Sequence, residues 1–315
     1  MPFVTAFYRA LGTGMVISVD SPIDDKVRSA MESLIEDYEH VLSRFRNDSL
    51  IAAIGKAEHG GSFDFPDWCA PLFDLYDALF SATSGAIDPC VGEDLIRLGY
   101  DASLSFTVTQ DAPEHLGALR GRAVWGRDVT RHGTTLVTHE PVQLDFGACG
   151  KGYLVDLLGR MLQSSQFVID AGGDLLIHAE QPISVALEDP EDQSHAIGIA
   201  HIANGALCAS APSRRHWNVA VNERTQIAIH HLLNAIDGLP AQQTEASWAY
   251  TPANATLNLA RDYPTAVADG LATALFVSDV AQLQRTFDFT YATLDESRQI
   301  AVSRNFPAEL FLRSA

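Results

Sequence analysis

Strand-like segments cluster along this 315-residue sequence and do not alternate regularly with helical ones. They are recognised by alternating apolar and polar residues or by β-branched residues, and they cover 15–19, 103–109, 134–138, 183–187, 197–202, 217–221 and 299–303. A doubly wound parallel sheet would place a helix between successive strands, and the clustering argues against that arrangement. The sequence therefore predicts an α+β fold of mainly antiparallel sheets with packed helices.

Four helices are predicted from apolar residues that recur at helical spacing. The first begins at Ser21 and Pro22, as cap and first helical residue, and carries its apolar face over 27–45. The others cover about 67–83, the segment after Gly150, and 266–277 with Thr265 as its cap. Because no repeat or linker divides the chain, we expect one domain over residues 1–315, built as two intimately joined lobes.

The acidic balance of the chain limits its partners. Twenty-one Lys and Arg against 40 Asp and Glu give a net charge of −19, which disfavours nucleic acid and anionic membranes. A phosphate-bearing ligand would then be held locally by an isolated Lys, by backbone amides or by a metal ion.

Features that would place the chain outside the cytoplasm are not seen in the sequence. The four cysteines are far apart and are typical of reduced thiols, not of disulfides or a zinc site. No basic leader precedes an apolar segment, and no apolar run is long enough for a membrane helix. We therefore expect a cytoplasmic protein with no membrane segment of its own.

Common catalytic signatures such as HExxH and GxSxG are missing from the sequence. The stretch 145–152 resembles a phosphate-binding P-loop, but Asp145 replaces its first glycine and Gly152 replaces its Mg²⁺-binding Ser or Thr. A nucleoside triphosphatase is therefore not expected. Lys151 remains suggestive, because it opens a predicted helix whose free N–H groups could hold a phosphate with it.

Asp269 and Thr273 lie four residues apart on the last predicted helix and so share one face. One interpretation is a capping acid and a threonine bonded to its own helix. The other is a Mg²⁺ site, since a hard cation takes oxygen ligands from the protein, substrate phosphate and water. His230 and His231 lie near a predicted strand end, where a histidine beside a phosphate site could act as a general base.

Seven segments, taken in order, resemble motifs of the ApbE family, the FAD:protein FMN transferases. Gly-Ala-Ile-Asp-Pro at 85–89 is similar to the family's Gly-Ala-Phe-Asp-Pro, and 145–152 resembles its Asp-x-Gly-(small)-x-x-Lys-Gly loop. Ala-Asp-Gly-Leu-Ala-Thr-Ala at 268–274 resembles Ala-Asp-Ala-Leu-Ala-Thr-Ala. The remaining similar segments are 11–13, 43–49, 172–174 and 231–240.

The resemblance implies a ligand, a metal and a reaction. Mg²⁺ would be bound by Asp269, Thr273 and the carbonyl of Ala148, and His231 would be the catalytic base. FAD would be the substrate, and its binding site would be lined by Leu11, Phe45, Ala86, Ile87, Asp88, Asp145, Lys151 and one of the pair Leu232 and Leu233. A Thr or Ser hydroxyl of an acceptor protein would attack the FMN-side phosphorus of FAD and release AMP.

The sequence departs from the family pattern at several positions. Ala211 stands where a glycine is usual, and its methyl group could crowd a backbone close to ligand. Asn234 replaces an aspartate, Ala235 a proline and Cys90 a threonine. Two alternatives therefore stay open beside the transferase: a pyrophosphatase that hydrolyses FAD to FMN and AMP, and a non-catalytic FAD-binding protein.

Overall fold

A computed structural model describes residues 1–222 and 225–311 of the chain. The main sheet has nine strands in the order β1-β2-β6-β7-β8-β13-β14-β15, with β16 paired to β8. Every strand pair in the described residues is antiparallel, apart from one isolated bridge between Trp125 and Val129. The predicted α+β class with mainly antiparallel sheets is confirmed. The strands are β1 Phe3–Ala10, β2 Thr13–Val19, β3 Gly61–Asp64, β4 Val129–His132, β5 Thr135–Thr138, β6 Phe167–Asp170, β7 Asp174–Glu188, β8 Ala196–Ser210, β9 His216–Asn222, β10 Thr225–His230, β11 Leu233–Asn234, β12 Leu239–Pro240, β13 Thr244–Pro252, β14 Thr290–Asp295, β15 Ile300–Val302 and β16 Ala308–Leu310.

The helices over residues 150–159, 258–262 and 264–274 contact strands of this sheet. The three predicted helices that were given bounds are shorter in the structure. The helices are α1 Asp25–Leu42, α2 Leu50–Gly55, α3 Ala70–Ala82, α4 Gly92–Arg97, α5 Ala112–His115, α6 Gly150–Gly159, α7 Asn258–Asp262, α8 Pro264–Ala274 and α9 Val280–Leu283. Within the described ranges, no helix combines the length and the apolar character needed to span a bilayer.

Helix α1 shows why these segments fold as they do. Its buried residues, Met31, Ile35, Tyr38 and Leu42, recur at intervals of three and four and form one apolar face. The predicted start at Ser21 and Pro22 is wrong, because the side chain of Asp24 accepts from the Lys26 N–H at 2.7 Å and caps the helix instead.

Segment 103–109 is not a strand, although its residues alternate. Leu104 and Phe106 have φ of 53° and 50°, in the left-handed region that breaks an extended chain. The carboxylate of Asp101 accepts hydrogen bonds from Ser103 and Ser105 and folds the segment into a loop. The apolar residues of this alternating pattern, Leu104 and Phe106, line a cavity and do not belong to a sheet.

Two apolar clusters stabilise the fold. The larger one includes residues of β2, α1, α3, α6 and α8, such as Ile17, Tyr38, Leu79, Leu154 and Leu271. A second cluster is formed by residues of β7, β8, β13 and β14, among them Leu187 and Trp248. The larger cluster fixes α6 against α8, and these two helices carry the polar residues described next.

Candidate active site

A cavity of about 990 Å³ brings together all the residues that the family resemblance implicates, whereas His230 is not among its lining residues. The residues come from all the predicted FAD, metal and catalytic sets: Leu11, Phe45, Ala86, Ile87, Asp88, Asp145, Ala148, Lys151, His231, Leu232, Leu233, Asp269 and Thr273. Their proximity is a property of the fold, since they are up to 262 positions apart in the sequence. Their individual roles stay predictions.

Helix α8 presents a carboxylate and a hydroxyl to this cavity. Asp269 is buried in the middle of the helix and does not cap it. Its carboxylate accepts the Gly152 N–H in the first turn of α6 at 3.0 Å, so the capping half of the simpler interpretation holds for the neighbouring helix. The hydroxyl of Thr273, one turn later, donates to the carbonyl of Ala148 at 3.4 Å. Asp269, Thr273 and Ala148 all line the cavity with oxygen donors.

The position of α8 depends on contacts with α6. The carboxylate of Asp156 accepts the N–H groups of Thr265 and Ala266 at 3.0 and 2.8 Å, so it caps α8 in place of the predicted Thr265 side chain. A Cβ on Gly152 would lie 2.3 Å from the carbonyl oxygen of Thr265. Only glycine therefore allows the two helices to approach this closely.

Lys151 lies between two carboxylates at the start of α6. Its ammonium group is 2.5 Å from Asp174 and 3.3 Å from Asp269. Burial alone would lower the pKa of Lys151, but the two carboxylates outweigh it and raise that pKa. One cation facing two acids leaves the site short of positive charge, which suits an added cation.

The donor set fits a hard divalent cation. Asp269, Thr273 and Ala148 offer only oxygen atoms, which Mg²⁺ prefers. Burial, and then the nearby Asp174, raise the pKa of Asp269 to about 7, so the carboxylate is poorly stabilised by the protein alone. No cluster of three or more His, Cys, Asp and Glu side chains in the described part of the chain could replace this set.

His231 is held in a defined orientation. Its Nδ1 is 3.2 Å from the carbonyl oxygen of Arg215, which makes Nδ1 the protonated nitrogen and leaves Nε2 as an acceptor. Burial lowers the pKa of His231 to about 4, so the ring is neutral at physiological pH. His230, by contrast, uses its Nε2 to contact the carbonyl of Ala241 at 2.8 Å.

Asp88 is at the cavity wall, but its carboxylate is used by the protein. It accepts the Cys90 N–H at 2.8 Å and lies 3.5 Å from the buried guanidinium of Arg122. Arg122 also pairs with Asp94 at 2.8 Å and donates to the carbonyl of Ala235 at 2.7 Å. This buried group ties the loop of Asp88 to the segment that follows His231.

Two of the four departures from the family pattern have local explanations. Ala211 lines the cavity with φ of −151° and ψ of 138°, an extended conformation in which a methyl group causes no backbone strain. The side chain of Asn234 accepts the Ile236 N–H at 3.0 Å and closes a turn. Asn234, the last residue of β11, therefore stabilises the turn that leads to β12.

The cavity contains more basic residues than the acidic composition predicts. Besides Lys151, its lining includes Arg44, Arg46, Arg214 and Arg215. Arg44 and Arg46 are at variable positions of the segment 43–49, and Arg214 and Arg215 lie outside the seven matched segments, so the motifs did not point to them. Asp174 was noted only as part of a glycine-rich turn, and its pairing with Lys151 is visible only in the fold.

Comparison with known proteins identifies the family. The ApbE family model matches residues 11–293. An FAD:protein FMN transferase of Klebsiella pneumoniae is 23% identical over 236 residues, covering 71% of this chain and 66% of that protein. One of Treponema pallidum is 27% identical over 286 residues, covering 80% of this chain and 72% of that protein.

Solved structures share the fold. The ApbE protein of Thermotoga maritima superposes with a TM-score of 0.79 at 20% identity, covering 98% of this chain and 99% of that one. The flavin transferase ApbE of Vibrio cholerae gives 0.76 at 18% identity, with 96% and 97% covered. The matched family model spans most of the sequence, including every segment that lines the cavity. This chain is a member of the ApbE family.

Proposed function

We propose that this chain is a Mg²⁺-dependent FAD:protein FMN transferase, which moves FMN from FAD to a Thr or Ser hydroxyl of an acceptor protein. The activity in the names of the Klebsiella pneumoniae and Treponema pallidum relatives supports this function. The observation that carries the proposal is that one cavity contains both the oxygen donors of Asp269, Thr273 and Ala148 and the neutral imidazole of His231.

The proposed reaction is a phosphoryl-type transfer. The acceptor hydroxyl oxygen forms a bond to the FMN-side phosphorus of FAD, and the bond from that phosphorus to the bridging oxygen breaks. AMP leaves with the bridging oxygen, and the hydroxyl proton passes to Nε2 of His231. Donor, acceptor and leaving group balance without a further reactant.

His231 is suited to receive that proton. Its Nδ1–H is directed at the Arg215 carbonyl, so the free nitrogen is Nε2. Burial keeps the imidazole neutral by lowering its pKa to about 4. A positioned base of this kind contributes roughly 10²–10⁴-fold to a rate.

Asp269, Thr273 and the carbonyl of Ala148 would hold Mg²⁺, which neutralises charge on the pyrophosphate of FAD. Lys151 adds a fixed positive charge beside them, and Asp174 keeps its ammonium group in place. Gly152 donates its N–H to Asp269 at 3.0 Å and so orients the carboxylate. These contacts arrange the site for a metal-bound pyrophosphate.

The products of a single incubation distinguish the alternatives. The purified chain is mixed with FAD, Mg²⁺ and a protein extract as the source of acceptors. FMN attached covalently to a protein, with AMP released, supports the transferase. Free FMN with AMP would instead identify the pyrophosphatase, and intact bound FAD the flavin-binding protein. No measurable FAD affinity with or without Mg²⁺ would overturn all three.

A further inference from the structure

Arg44 is packed against two neighbouring aromatic rings in the cavity. Its guanidinium carbon lies 4.2 Å from the ring centre of Phe45 and 4.7 Å from that of Tyr100. The side chain is only 7% exposed, yet the residue lines the cavity. Contacts of a guanidinium with two rings restrict its orientation.

Two of the three guanidinium nitrogens have partners. Nε pairs closely with the carboxylate of Asp145, and Nη1 donates to the carbonyl of Tyr100 at 2.6 Å. Nη2 is buried and has no hydrogen-bond partner among the residues that the structure describes. A buried donor without a partner is costly and uncommon in folded proteins, so Nη2 is expected to meet an acceptor from outside the chain.

The surroundings indicate what kind of acceptor this is. Asp145 neutralises the charge of Arg44 and uses its second oxygen to accept the Gly147 N–H at 2.6 Å. A neutralised guanidinium among aromatic side chains favours a neutral acceptor on a planar ring over a phosphate. The ring centre of Tyr100 is 5.3 Å from that of Phe45 and 5.8 Å from that of Trp217, which extends this aromatic wall.

We propose that Nη2 of Arg44 donates a hydrogen bond to a carbonyl oxygen or ring nitrogen on one of the two planar rings of FAD. Asp145 is then a positioning residue that acts on the ligand through Arg44. This inference rests on the proposed function, since FAD is the ligand that supplies such rings. It adds a specificity-determining residue to the site.

The test uses Arg44→Lys, which keeps a positive charge beside Asp145 but loses the Nη2 donor. The dissociation constants of FAD, FMN and AMP are measured for the wild type and the variant at one Mg²⁺ concentration. Arg97→Lys is the matched control, because Arg97 is also ion-paired, with Glu93 and Asp111, but does not line the cavity. The thermal midpoint of each variant checks that the fold is kept.

The variant should bind FAD about ten-fold more weakly or worse, the loss expected for a hydrogen bond from a charged donor. If the flavin ring is the acceptor, the affinity for FMN should fall as much as the affinity for FAD, and the affinity for AMP should not change. If adenine is the acceptor, the affinity for AMP should fall and that for FMN should not change. Unchanged FAD affinity, or equal losses for FMN and AMP, would overturn the assignment. If the wild type does not bind FAD, the proposed function is overturned as well. If the wild type binds FAD and Arg44→Lys binds it equally well, only the role of Arg44 is overturned.

Discussion

The stability of the cavity wall should depend on Arg122. Its side chain is fully buried, pairs with Asp94 at 2.8 Å and Asp88 at 3.5 Å, and donates to the carbonyl of Ala235 at 2.7 Å. Substitution Arg122→Met would leave two buried carboxylates without their cation. Breaking a buried ion pair from one side costs about 3–5 kcal/mol.

The loss should also depend on pH. Burial raises the pKa of Asp94 to about 6 even with Arg122 beside it, and burial raises that of Asp88 as well. When the pKa of a carboxyl group is higher in the folded protein than in the unfolded one, its protonation stabilises the folded state. This contribution is complete at a pH below the pKa of the unfolded state and is lost as the pH rises through the pKa of the folded state. Without Arg122 both pKa values rise further, so the penalty should grow from pH 5 to pH 8.

Urea unfolding at pH 5 and pH 8 measures both effects. We expect Arg122→Met to lower the free energy of unfolding by about 4 kcal/mol at pH 8 and by roughly half of that at pH 5. Arg131→Met is the control: its ion pairs with the half-exposed Asp74 and Asp77 should contribute under about 1 kcal/mol. A loss at Arg122 that is the same at both pH values would refute the reasoning.

Three further predictions concern the reaction and the helices that support it. Asp269→Ala should abolish metal-dependent AMP release, and unchanged release would contradict the metal assignment. His231→Ala should slow transfer by roughly 10²–10⁴-fold with little change in FAD affinity. At saturating Mg²⁺, which keeps Asp269 ionised, the wild-type kcat/KM should fall near pH 4, and this fall should be missing from His231→Ala; the same profile in both proteins would argue against His231 as the base. Gly152→Ala should lower the thermal midpoint by several degrees, since its Cβ would lie 2.3 Å from the Thr265 carbonyl, whereas Gly14→Ala, where the space is open, should change it far less.

The sequence predicted those helices and strands whose formation depends mainly on the pattern of their own residues. The apolar face of α1 and the antiparallel class follow from periodicity and from the order of segments. Segment 103–109 was misread because alternation alone cannot reveal the positive φ of Leu104 and Phe106. Strand β1 was missed although it pairs with β2 in a local hairpin, whose turn at Leu11 and Gly12 has positive φ at both residues.

The residues of the candidate site also differ in whether the sequence alone could point to them. Helical spacing and a family pattern pointed to Lys151, Asp269 and Thr273, which line one cavity, while their roles stay predictions. Arg44 could not be identified in this way, since its role depends on contacts with Asp145 and Tyr100, which are 101 and 56 positions away. The pairing of Lys151 with Asp174 likewise needs the fold that brings α6 to the start of β7.

We propose that one cavity holds FAD with its pyrophosphate beside Asp269, Thr273 and the carbonyl of Ala148. A crystal structure of the complex with FAD and Mn²⁺, using the anomalous signal of the metal, would locate both ligands. We expect a manganese peak bound by those three oxygens and by a pyrophosphate oxygen of FAD, with the FMN-side phosphorus facing Nε2 of His231. FAD bound outside this cavity, or a metal peak away from Asp269, would contradict it.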